Sequence, residues 1–112
     1  MKKLFLLMAF LITLSCGKKA EIPDGIIPEK RMAEILVDIH LLESKIDHLD
    51  IPRDSSEMLY KAYEFDLLVN KYDVDTLTYK RSFNFYTKNL TEFTEVYDMV
   101  LKSMEEKQKD GF

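Results

Sequence analysis

PEKRMAEILVDIHLLESKID (residues 28–47) carries Met32, Ile35, Ile39, Leu42 and Ile46 at alternating spacings of three and four. That is the apolar seam of an amphipathic helix. Advancing about 100° per residue from Met32, the seam spans roughly 280° through 0° to 40°. Ala33, Val37, Leu41 and Ser44 form a second small or apolar patch. Arg31, Glu34, Asp38 and Lys45 gather on the sector expected to be wet. His40, Glu43 and Asp47 fall between the two apolar patches. A helix apolar on two sides predicts a central position, with Glu43 at least pointing inward. Pro28 suits a first helical turn, Glu29 complements the dipole, and the helix should fade near Asp47.

After this helix, HLDIPR (residues 48–53) reads as a loop. Asp54 followed by Glu57 predicts a capping box opening a second helix. Its face is Met58, Ala62, Phe65, Val69 and Tyr72, broadened by Leu59, Tyr63 and Leu68. Asp73, Val74 and Asp75 make the next turn, with Asp75 capping a third helix through about Lys88. That helix presents Tyr79, Phe83, Tyr86 and Leu90. Asn89 with Glu92 predicts the start of a fourth helix, which should bury Phe93, Val96, Tyr97, Val100, Leu101 and Met104. Tyr60 and Phe85 lie off these seams, on the surface or against a neighbouring helix, or as exposed anchors for a partner. The expected fold is all-α: a small antiparallel bundle of about four helices, occupying residues 28–107. Three glycines and three prolines in 112 residues agree with it.

Before the bundle, MKKLFLLMAFLITLSCGKK (residues 1–19) reads as a secretory leader. Lys2 and Lys3 form the basic start, and Leu4 to Ile12 form an apolar run too short for a bilayer that needs about 20 residues. The leader ends directly before Cys16, the only cysteine, and this junction resembles a bacterial lipobox. The resemblance implies removal of the signal peptide (residues 1–15) and acylation of Cys16, palmitate included. The alternative is an ordinary signal peptide with an incidental cysteine. Several acyl chains, at about 0.8 kcal/mol per buried methylene, make an anchor effectively permanent. Residues 16–27 then form the lipidated cysteine and a tether broken by Pro23, Asp24 and Gly25, with Ile26 and Ile27 docking on the domain. Gly17, Lys18 and Lys19 lack the acidic cluster of surface-exported lipoproteins, which places the protein at the periplasmic face of the outer membrane. The charged tail should fray over residues 108–112.

The mature chain, Cys16 to Phe112, holds 14 basic and 20 acidic side chains. A net negative surface argues against nucleic acid as a partner. No glycine-rich phosphate loop and no Gly-x-Ser-x-Gly elbow occurs, so the chain reads as a non-enzyme without a cofactor. The polar set His40, Glu43 and Asp47 admits three uses. It can be a buried clasp that sets helix register, which is the foremost expectation, with Tyr63, Tyr86, Tyr97 or Arg81 as partners for Glu43. It can line a pocket for a small ligand. A carboxylate-bridged metal site would need matching Glu-x-x-His pairs on other helices, and the only other histidine is His48, so no metal is expected.

IPEKRMAEILVDIHLLES (residues 27–44) and SFNFYTKNLTEFTEVYDMV (residues 82–100) together resemble a family of short helical lipoproteins of the Bacteroidota that carries only a domain-of-unknown-function label. Its first segment ends in Asp-x-x-x-x-Glu-Ala, matched by Asp38 and Glu43, with Ser44 in place of alanine. The later segment reads Tyr-Tyr, Asn-Pro and Ile-Tyr, where this chain has Phe85-Tyr86, Asn89-Leu90 and Val96-Tyr97. The resemblance runs from Ile22 to Met104 and implies an exported, anchored helical domain without implying an activity. The combined expectation is a membrane-tethered interaction module that docks a protein of the envelope, with a small-ligand binder around His40 and Glu43 as the alternative.

Overall fold

The computed structural model describes residues 21–109. The leader, Cys16, residues 17–20 of the tether and the last three residues lie outside the described residues. Among the described residues four helices follow in order: α1 (Glu29–Asp47), α2 (Arg53–Asp66), α3 (Thr76–Lys88) and α4 (Leu90–Lys109). A π-helical turn (Leu67–Lys71) continues α2. No strand occurs among the described residues. α1 is central, packed along α4 on one side and α2 on another, while α3 rests on α4 and the π turn. α4 runs antiparallel to α1: Tyr97 meets His40, and Glu106 shares a groove with Lys30.

Both apolar sectors of α1 are used. Met32, Ile35, Leu36 and Ile39 are buried on the seam, Ala33 and Val37 on the second patch, and Ile46 near the end. Val96 and Val100 of α4, Leu68 of the π turn and Tyr86 of α3 complete the centre. Each fully buried side chain of this size is worth about 1.5–3 kcal/mol in transfer.

The chain before α1 belongs to the domain. Ile27 is buried, and Ile22 and Ile26 pack against the core. Pro23 to Ile26 form a turn closed by the Ile26 N–H on the Pro23 carbonyl at 3.2 Å. Gly25 sits in it at φ 85°, a conformation that side chains resist. The docked segment therefore starts near Ile22, earlier than the expected boundary at Pro28.

Several boundaries and faces differ from expectation. Asp54 does not cap α2; the helix opens at Arg53 behind Pro52, whose carbonyl accepts from Ser56 N–H at 3.0 Å. The expected inner face of α2 points outward: Met58 is 75% and Phe65 55% exposed, and no residue of α2 is buried. The π turn explains the misreading. It widens the coil by one residue, so the side that enters the core changes and Leu68 goes in. Asp73 follows at φ 54°, and Val74 N–H closes on the Leu68 carbonyl at 2.8 Å. Asp75 does cap α3, accepting from Thr78 N–H at 2.7 Å. On α3, Ser82 and Tyr86 are buried while Phe83 lies toward solvent, and Leu90, expected on the same face, instead begins α4 and is exposed. Asn89 joins α3 to α4, its side-chain amide donating to the Phe85 carbonyl at 2.7 Å. α4 leaves Leu101 exposed and stays helical to Lys109, through two residues of the tail expected to fray.

Candidate functional site

Three polar constellations surround α1. The first pins the entering chain. Ile27 N–H donates to Ser82 Oγ at 2.9 Å, and Tyr86 OH donates to the Ile27 carbonyl at 2.6 Å, both buried. Ser82 Oγ itself donates to the Thr78 carbonyl at 2.8 Å. A backbone segment outside any helix thus has both its buried polar groups satisfied by two side chains one turn apart on α3.

The second constellation is built on Asp38, which the helical wheel puts on the wet sector. Its side chain is only 13% exposed. Lys71 Nζ donates to its carboxylate at 2.6 Å and Tyr72 OH at 2.5 Å, with Lys107 at 3.9 Å. Arg31 reaches the Tyr72 carbonyl and stands over its ring. Burial alone would raise the Asp38 carboxyl; the Lys71 and Tyr72 hydrogen bonds and both lysine charges outweigh it and hold it below its ordinary value. The Tyr72 hydroxyl is pushed up by burial and by donating to Asp38.

The third contains the expected cluster. His40 Nδ1 lies 3.5 Å from Glu43 Oε2, Tyr97 OH 3.5 Å from His40 Nε2, and Tyr60 OH donates to Glu43 Oε1 at 3.5 Å. The structure thus joins His40 to Glu43 but does not bury Glu43, whose side chain is 47% exposed. None of the four expected partners reaches it; its hydroxyl partner is Tyr60. Asp47 is exposed one turn further on, lining the same open groove of about 350 Å³ as Glu43, Tyr60 and Glu64. Glu43 stays half in water, although Tyr79 of α3 comes close enough to feel its charge: burial first, and then the Glu64 and Glu43 carboxylates among its neighbours, push the Tyr79 hydroxyl up. Burial and the Glu64 and Glu43 charges push Tyr60 up to about 12. Burial also raises the Glu64 carboxyl, against a partial pull from Lys80 and with a push from Glu43. Phe85 is half-buried, edge-on to Tyr86 at 5.3 Å.

A further groove of about 490 Å³ runs along α1 and α2 between Asp38, Leu42, Tyr63 and Lys71, open to solvent. Among the described residues no three His, Cys, Asp or Glu side chains are grouped to hold a metal ion. No described helix is long and apolar enough to cross a membrane. Sequence reasoning missed Ser82, Lys71 and Tyr72 as partners. Ser82 was detectable by its place between Tyr79 and Tyr86 on one face of α3; Lys71 and Tyr72 were not, because the π turn sets their direction.

These features define a small all-helical domain whose entering segment is part of its core. Residues 23–110 match the family described as "Domain of unknown function (DUF4296)", and the chain belongs to that family. No curated protein and no solved structure matches it.

Proposed function

We propose that this chain is a lipid-anchored, non-catalytic interaction module of a bacterial cell envelope, of the kind found in the Bacteroidota. In this reading Cys16 is acylated and holds the domain at the periplasmic face of the outer membrane, where it docks an envelope protein. The observation that carries it is a short apolar leader ending at the chain's single cysteine. Packing of Ile22 against the core supports it too. Only five residues separate Cys16 from Ile22. Extended, they span at most roughly 20 Å, so the domain is kept at the bilayer surface. Open grooves along α1 and α2 favour a macromolecular partner over an enclosed small ligand at His40 and Glu43.

Mass spectrometry of the protein recovered from membranes tests the anchor. The expected species begins at Cys16 and carries acyl chains. An unmodified thiol or a retained leader overturns the reading. Crosslinking in the native envelope tests the docking: a protein captured above a Cys16→Ala control is expected, and capture equal to that control refutes it.

A further inference from the structure

Ser55, Met58, Ala62 and Phe65 follow a three-four-three spacing, the a and d positions of a coiled-coil heptad. Tyr60 and Leu67 occupy the opposite, f position, and Tyr60 is the residue that meets α1 through Glu43. The a/d seam of α2 therefore faces away from the domain. All four of its residues are less than two-thirds covered, and Met58 is the most open at 75%. α2 is a coiled-coil strand presented without its mate.

We infer that the mate is α2 of a second copy of this chain, paired parallel and in register. The flanking charges specify this. In a parallel pair, position g faces position e five residues on in the other helix. Here that sets Lys61 against Asp66 of the second copy, twice by symmetry. Lys61 has no ion-pair partner within the chain among the described residues. An antiparallel pair centred near Ala62 would instead bring Lys61 toward its own copy. Ala62 at the centre of the seam permits close approach of the two backbones.

Size decides where the pair forms. Seam and flanking side chains offer on the order of 500 Å² per copy, short of the roughly 800 Å² of a standard stable interface. The association is weak in free solution. It strengthens when both copies are confined to one bilayer, which raises their effective concentration. α1 begins at the Tyr72 end of α2, where Arg31 holds the Tyr72 carbonyl. In a parallel pair both chains thus enter at the same end, towards the same membrane. The inference rests on the anchor reading for its strength.

Full-length protein in phosphatidylethanolamine–phosphatidylglycerol vesicles, carrying Met58→Cys or Phe65→Cys, tests it under mild oxidation. Each variant alone should form a disulfide-linked dimer on the order of tenfold more than Leu77→Cys, an exposed control on α3, at equal protein-to-lipid ratio. Adding Ala62→Lys should abolish that excess. Dimer no greater than the control, or dimer only when the Met58→Cys and Phe65→Cys proteins are mixed, as an antiparallel pair requires, overturns the inference. Flotation of the vesicles separates this from failure of the anchor. Protein that floats but does not crosslink refutes the pairing, whereas protein that does not float refutes the anchor.

Discussion

α1 and α2 are neighbours of similar polarity pattern with opposite fates. α1 buries seven residues and lies between two helices; α2 buries none and touches the domain along one edge. Both carry an apolar seam at helical spacing. A seam establishes that a helix has a greasy side and says nothing about which neighbour covers it. α1 has two such sectors and so must be central. α2 has one regular seam and a second, irregular contact surface of Leu59 and Tyr60, continued by Leu67 of the π turn. The irregular surface meets α1, because the π turn and the Asp38 cluster fix the end of α2 in that orientation.

The largest expected effect lies in α1. Ile35→Ala, fully buried on the seam, should cost about 2–5 kcal/mol in denaturant unfolding. Met58→Ala on α2, measured on dilute protein, should change stability by no more than about 0.5 kcal/mol. Equal losses for the two would erase the contrast between the helices.

The strap over Ile27 comes next. Tyr86→Phe keeps the ring and orphans a buried carbonyl, for an expected loss of about 1–3 kcal/mol. Amide exchange at Ile26 and Ile27 should accelerate in the variant, which localises the loss to the docked segment.

Asp38→Asn should cost about 1–2 kcal/mol at neutral pH, discounted because Lys71 is largely solvated. Folding lowers the Asp38 pKa, so its contribution is complete above the ordinary value of 3.8 and disappears as pH falls through the folded value. Stability curves of the two proteins should therefore converge in acid. Glu64, shifted the opposite way, acts equally in both. A pH-independent gap would show that shape and not charge is what Asp38 supplies. Smallest of all, Glu43→Gln should shift stability by under about 1 kcal/mol, since its contacts are long and half in water.

Comparing these two carboxylates shows how far the sequence could be read. The wheel put Glu43 inward and Asp38 in water, and the structure reverses their burial. The inward expectation for Glu43 fails: its side chain is 47% exposed and its contacts to His40 and Tyr60 are both 3.5 Å long, so position on the wheel did not settle burial. For Asp38 the cover comes from Lys71 and Tyr72, thirty-three and thirty-four residues away, through a turn that departs from regular helical period. Ile26 and Ile27 were legible as docking residues because isoleucines beside a proline–glycine turn have no other way to leave water. Ser82 was legible as a position on the Tyr79–Tyr86 face of α3, but its bond to Ile27 was not, because periodicity places a residue on a face without naming its partner fifty-five residues away.

By itself the sequence determined the four helices, the central place of α1, the Asp75 cap and the docking of the segment before Pro28. These follow from local spacing, capping chemistry and turn residues, each acting within a few positions along the chain. Only the tertiary structure decided which side of α2 meets the core, which carboxylate is buried and what satisfies Ile27. Those outcomes depend on contacts between residues more than thirty positions apart and on a one-residue widening of the coil, and neither leaves a mark on hydrophobic periodicity.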